Sequence, residues 1–189
     1  MDSANVSISL EFTPNPNTLK FVVNRTFLER GAANFTSVEK ADKAPLAQKL
    51  FSVPGVKGVL VGTNFVTITK SPEGDWDVLA DQVPLTIETH LKSGAAVFSP
   101  DFAHAAPAIP TGDQSEIEKK IREVLDNEIR PAVAMDGGDI TFGKFEEGIV
   151  YLHLQGSCSS CPSSVATLKM GVEMRLKEVI PEVKEVVQV

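Results

Sequence analysis

The stretch Ser99-Pro100-Asp101-Phe102-Ala103-His104-Ala105-Ala106-Pro107-Ala108-Ile109-Pro110-Thr111-Gly112-Asp113-Gln114 decides how this fold is organised. Its three prolines, its alanines and its lack of any hydrophobic period read as a linker. The 189 residues then divide into an N-terminal domain over 1–98, a linker over 99–113 and a C-terminal domain over 114–189. The second domain is near the size at which one core gives only marginal stability, so dimerisation or a bound group would help it.

Upstream of the linker the pattern is mixed. Ser7 to Thr13 alternates around Ile8, Leu10 and Phe12, which predicts a strand, and Leu19 to Val23 predicts another. Pro14-Asn15-Pro16-Asn17 between them is a turn cluster. Pro45 to Phe51 starts as a short helix and closes at Pro54-Gly55. Val59 to Val61 and Phe65 to Thr69 flank Gly62-Thr63-Asn64 as a β-hairpin. Trp76, Leu79, Val83, Ile87 and Leu91 form a helical stripe, in which Pro84 predicts a kink or a break into two helices.

Downstream, Ser115 and Glu118 read as a capping box ahead of a helix with Ile117, Ile121, Val124, Leu125 and Ile129 on one face, ended by Pro131. Gly137-Gly138 marks a turn or a close approach. Ile140, Phe142 and Phe145 suggest a strand, Glu146-Glu147-Gly148 a turn, and Val150, Leu152 and Leu154 a second strand. Val165, Leu168, Val172, Leu176 and Val179 share a helical face that Pro181 ends, and Val183 to Val189 is a last strand. The expected class is α+β: two small α/β domains joined by a linker, with the order α-β-β-α-β in the second.

Composition narrows the function. With 42% hydrophobic and 23% charged residues the chain is an ordinary globular sequence. A net charge of −7 argues against wrapping nucleic acid, which needs a phosphate-neutralising face. No apolar run approaches the ~20 residues of a membrane span. Met1-Asp2-Ser3-Ala4-Asn5 has neither the basic start nor the apolar stretch of a secretory signal. The expected address is the cytoplasm of a bacterium, or the mitochondrial matrix if this is a processed form.

Both cysteines lie in Gly156-Ser157-Cys158-Ser159-Ser160-Cys161-Pro162. Pro162 suits the first position of a helix, which makes Cys161 the N-cap, and the positive helix end favours thiolate there. Gly156 removes bulk beside the site, and the small Ser157, Ser159 and Ser160 can donate hydrogen bonds to sulfur. Two thiols grip a metal from one side and leave half of a four-ligand sphere unfilled, so a second copy of the chain is the simplest source of the rest. Four readings stand at this point: silent reduced thiols, a dithiol redox site with Cys158 as the more exposed attacking sulfur, zinc shared by two chains, and an iron–sulfur cluster shared by two chains. His153 sits on a strand and is a poor ligand. With His90 and His104 it is scattered along the chain, and no nucleophile–base set is legible.

Met135-Asp136-Gly137-Gly138-Asp139-Ile140, then Leu154-Gln155-Gly156-Ser157-Cys158-Ser159-Ser160-Cys161-Pro162-Ser163-Ser164 and Thr167-Leu168-Lys169, resemble the C-terminal domain of the NifU-like, or Nfu, iron–sulfur scaffold and carrier proteins. Thr13-Pro14-Asn15-Pro16-Asn17-Thr18-Leu19-Lys20-Phe21, Pro45-Leu46-Ala47, Leu50-Phe51 and Asn64-Phe65-Val66-Thr67-Ile68-Thr69-Lys70 resemble the N-terminal domain of that family. The resemblance implies a carrier, not a catalyst, with a [4Fe–4S] cluster bridged by Cys158 and Cys161 of a homodimer. Zinc or a [2Fe–2S] unit would also accept these thiolates. It implies upstream cluster-assembly proteins and apo iron–sulfur acceptors as partners. No nucleic acid or membrane partner is expected. The N-terminal domain is expected to be a docking or specificity module. Asp136-Gly137-Gly138-Asp139 and Pro14-Asn15-Pro16-Asn17 are expected to be structural turns.

Overall fold

The computed structural model describes residues 5–102, 116–159 and 162–189, with the side chains of 162–164 left aside. Two compact units divide at His104 and Ala105. The capping-box Ser115, most of the linker, His104, Ser160 and Cys161 lie outside the described residues.

The first unit is a five-stranded antiparallel sheet. Its strands are β1 (Ile8–Phe12), β2 (Thr18–Val23), β3 (Ala33–Phe35), β4 (Val56–Val61) and β5 (Phe65–Lys70), in the order β1-β2-β5-β4-β3. Helices α1 (Pro45–Phe51) and α2 (Trp76–Lys92) pack on one face, where Leu46, Leu50, Leu79, Val83 and Ile87 meet Phe21, Val59, Val66 and Ile68. The short β3 is an element that the sequence pattern did not reveal; three residues carry too little alternation to stand out.

The break into two helices expected at Pro84 does not occur. Residues 76–92 form a single helix with Pro84 inside it. Proline cannot donate to the Ala80 carbonyl, and such a loss normally interrupts a helix. Here Leu79, Val83, Ile87 and His90 are buried on both sides of Pro84, so packing of one continuous stripe outweighs the missing bond. Asp75 caps the helix by accepting the Asp77 N–H at 2.9 Å.

Pro14-Asn15-Pro16-Asn17 is a structural turn. The Asn15 side chain accepts the Asn17 N–H, Asn17 carbonyl accepts the Lys70 N–H, and the Trp76 indole donates to the Pro16 carbonyl at 3.0 Å. The turn thereby ties the β1–β2 hairpin to β5 and α2. On β1 the alternation is real, since Ile8, Leu10 and Phe12 stand opposite Val23, Phe21 and Leu19. At this sheet edge it ends in exposure, with Phe12 87% accessible. Residues 97–102 belong to this unit: Ser99 N–H donates to the Lys43 carbonyl, and Phe102 stacks on Phe98 with ring centroids 4.4 Å apart.

The second unit has the expected α-β-β-α-β order. Helix α3 (Glu116–Val124) runs through a π turn (Leu125–Ile129) into α4 (Arg130–Met135). Strands β6 (Gly138–Glu146) and β7 (Ile149–Gly156) form a hairpin, α5 (Pro162–Val179) follows, and β8 (Glu185–Gln188) lies parallel to β7. Pro131 does not end the helix as expected. The widened turn lets Arg130 N–H reach the Leu125 carbonyl five residues back, and a π turn tolerates the donor that Pro131 lacks. The Glu147-Gly148 turn has positive φ at both residues, 53° and 88°, which matches the twist of a two-residue hairpin. Ile140, Leu152, Val172, Leu176 and Val186 form the centre of this core, and Cys158 is part of it.

Candidate metal centre

The seat of Cys158 is built at the junction of β7 and α5. Strand pairing places Gly138 opposite Gly156, at the ends of β6 and β7. Gly156 has φ 64°, a left-handed turn that an L side chain resists, and it reverses the chain into a short 3₁₀ turn, Ser157–Ser159. This turn brings the Cys158 sulfur over Gly138, where a Cβ would collide with it and would also lie 3.0 Å from the Gln155 carbonyl. The bulk that has to be missing is therefore at Gly138; Gly156 serves the turn.

Ser157 fastens the segment from two sides. Its N–H donates to the Gly137 carbonyl at 3.3 Å, and its hydroxyl donates to the Asp136 carbonyl at 2.5 Å. Ser159 donates to the Gly156 carbonyl at 2.9 Å. The Ser157 and Ser159 hydroxyls are thus engaged by backbone oxygens, the Ser157 hydroxyl also meets the sulfur at 3.7 Å, and Ser160 lies outside the described residues. Asp136-Gly137-Gly138-Asp139 is more than a turn, because two of its carbonyls and one of its Cα atoms form the seat.

Cys158 is only 7% exposed. Burial pushes its thiol up from the usual range, the Ser157 contact opposes this, and the Asp136 and Asp139 carboxylates add to it. The redox reading makes Cys158 the more exposed attacking sulfur; burial of Cys158 does not favour that role, and Cys161, the other predicted ligand, lies outside the described residues. Among the described residues no group of three or more His, Cys, Asp or Glu side chains could hold a metal ion. His153 is exposed, with Nδ1 3.2 Å from the Val189 carbonyl, and His90 is buried in the first unit with Nε2 2.9 Å from the Ala96 carbonyl.

Behind the seat lies a buried ion pair that the sequence reading missed. Arg130 donates through Nε and Nη2 to the two Asp139 oxygens at 2.9 and 2.8 Å, and through Nη1 to Asp126 at 2.9 Å. Burial works against the cation, but the bonds to Asp139 and Asp126 outweigh it and hold Arg130 charged above its usual range. Asp126 and Arg130, four apart before Pro131, were the available signal; their joint partner Asp139 was not predictable from spacing.

A thiol seated by backbone atoms at the junction of β7 and α5 belongs to the class of soft ligands that iron and zinc accept once deprotonated. Comparisons with known proteins agree with that class. A NifU-like domain matches residues 121–187, and the N-terminal domain of scaffold protein Nfu/NifU matches residues 8–94. A human protein named NFU1 iron-sulfur cluster scaffold homolog, mitochondrial, is 43% identical over 185 residues, which cover 96% of this chain and 71% of the relative. NifU-like protein 4, mitochondrial, of Arabidopsis thaliana is 42% identical over 96% of this chain and 65% of its own length. The Drosophila grimshawi NFU1 homolog is 43% identical, and this chain spans 61% of it. The solution structure of a NifU-like protein from Saccharomyces cerevisiae is 27% identical over 53% of this chain and 92% of that one, with a TM-score of 0.45.

The chain belongs to the Nfu family of NifU-like proteins. All three sequence relatives carry the word mitochondrial in their names, and the bacterial cytoplasmic expectation finds no support among them. Among the described residues no helix is long and apolar enough to cross a membrane.

Proposed function

We propose that this protein is an iron–sulfur cluster carrier. Cys158 and Cys161 of two copies hold a [4Fe–4S] cluster as cargo, and the cluster passes to apo-proteins. The observation that carries the reading is the Cys158 seat: a thiol held by Gly138 and Ser157 at the start of α5, in a chain that contributes two cysteines where a cube takes four. The scaffold names of its relatives support it.

Delivery follows from ligand exchange. An acceptor thiolate replaces a carrier thiolate on iron, one at a time, with no change in the number of sulfur ligands. Two ligands per chain make each exchange local, and loss of one pair separates the two copies. The N-terminal unit is a docking module; the exposed Phe12 and Leu10 on the open edge of its sheet support that role. The mitochondrial matrix is the compartment that the relatives' names favour.

Anaerobic reconstitution with iron and sulfide tests the proposal. Mössbauer spectra and native mass should show about four irons per two chains. Cys158→Ala and Cys161→Ala should each abolish the colour, and the loaded protein should activate an apo dehydratase of the aconitase type. A protein that stays colourless and single-chain while reducing insulin would refute it in favour of dithiol redox chemistry.

A further inference from the structure

We infer that the Arg130–Asp139 ion pair is a positioning strut for the Cys158 sulfur, acting through the backbone of Gly137 and Gly138. The inference rests on the reading of Cys158 as a cluster ligand. Asp139 follows Gly138 directly and is 3% exposed; Arg130 is 9% exposed. One guanidinium joins three elements: Asp126 in the π turn, Arg130 itself at the start of α4, and Asp139 in β6. The loop of residues 136–138 therefore has one end of its path clamped to the other. Everything that seats Cys158 from below lies on that loop: the Asp136 carbonyl, the Gly137 carbonyl and the Gly138 Cα.

A buried ion pair is a poor device for stability alone, because desolvation offsets most of its attraction and a well-packed apolar pair often does as well. What it supplies is orientation. The two parallel N–H···O bonds fix the distance and the plane of the Asp139 carboxylate relative to α4. Lysine at 130 keeps the charge and loses the plane. Gly138 has no slack to absorb the difference, since the sulfur already occupies the space where its side chain would be. A small shift of Asp139 is passed directly to the seat of Cys158.

The test uses the full-length unloaded chain with Cys161→Ser, so that Cys158 is its single thiol. Three forms are compared: Arg130 intact, Arg130→Lys, and the apolar pair Arg130→Met with Asp139→Leu. Iodoacetamide labelling of Cys158 at one pH is timed by mass, alongside far-UV circular dichroism and thermal melting. The strut predicts that folded Arg130→Lys, which keeps both the cation and the Asp139 carboxylate, labels roughly tenfold faster because the seat opens locally. With Cys161 restored, the visible circular-dichroism bands of the loaded cluster should shift in both variants. A purely structural pair would move the melting temperature and leave labelling of the folded protein alone.

Folded Arg130→Lys with labelling at the original rate overturns the inference. If only the apolar pair fails to fold, Arg130→Lys decides alone. If neither folds, the pair is a stability element and the inference falls. Labelling is read without a cluster, so accelerated labelling in a chain that never loads iron would refute the carrier reading and leave the strut standing.

Discussion

The two units differ in what their centres are for. In the first, two helices cover a five-stranded sheet with hydrocarbon, and the buried Phe21, Leu46, Ile68 and Ile87 contribute volume. In the second, a three-stranded sheet encloses a core that includes a thiol, with a charged pair behind it. The first core tolerates features that should disrupt it, such as Pro84, because many equivalent contacts share the load. The second has no such redundancy around Cys158: one glycine, one serine and one ion pair each have a separate task. Packing specified by volume is forgiving, and a seat specified by single atoms is not.

The largest expected break in this comparison is Phe21→Ala. Loss of a fully buried ring should cost the first unit about 3–5 kcal/mol. Trp76, the single tryptophan, packs against that core, and Tyr151, the single tyrosine, lies in β7 of the other unit. Urea melts followed by the two fluorophores should show the tryptophan transition move and the tyrosine transition stay. Equal movement of both would contradict independent cores.

Gly138→Ala probes the other side of the comparison. The added methyl meets the Cys158 sulfur and the Gln155 carbonyl. Overpacking of this kind should cost the second unit about 1–3 kcal/mol. Iron bound after reconstitution should fall along with the melting temperature. Full iron loading at an unchanged melting temperature would show that the seat is looser than the geometry indicates.

A smaller effect belongs to His90. Burial lowers its pKa, the Ala96 carbonyl contact opposes this, and Lys49 adds to it. The folded imidazole resists a proton that the unfolded one accepts near pH 6.5. Stability of the first unit should thus be full above that value and fall below it, by at most about 1.4 kcal/mol per pH unit. Denaturant melts between pH 7.5 and pH 5 on the original chain and on His90→Gln, followed at Trp76, check this; the same slope in both would remove His90 as the cause.

The smallest change should be a gain. Glu147 holds φ at 53°, which costs an ordinary side chain energy, and Asn-Gly is the preferred pair for such a hairpin. Glu147→Asn should stabilise the second unit by up to about 1 kcal/mol. A lower melting temperature for that variant would point to a contact of Glu147 that outweighs the backbone.

Much of the fold was legible because it is periodic. The alternation of Val150, Leu152 and Leu154 and the stripe of Leu168, Val172 and Leu176 placed β7 and α5, and Pro45–Phe51 was read to the residue. The prolines misled in both units, since a local rule about one missing N–H cannot weigh the packing on either side of it. At the candidate site, the thiols were legible as a motif, while their surroundings were not. Helix-end electrostatics favoured an anionic sulfur; at Cys158 burial runs the other way.

By itself, the sequence determined the order of elements, the division into two halves and the positions of the two thiols, since these follow from local spacing and composition. The tertiary structure alone decided that Gly138 lies beneath Cys158, that Ser157 bonds to the Asp136-Gly137 carbonyls, and that Arg130 meets Asp139. The Gly138 and Ser157 contacts exist only once β6 has paired with β7, the Arg130 contact only once α4 has packed against β6, and no periodicity along a single strand or helix encodes which atoms that packing brings together.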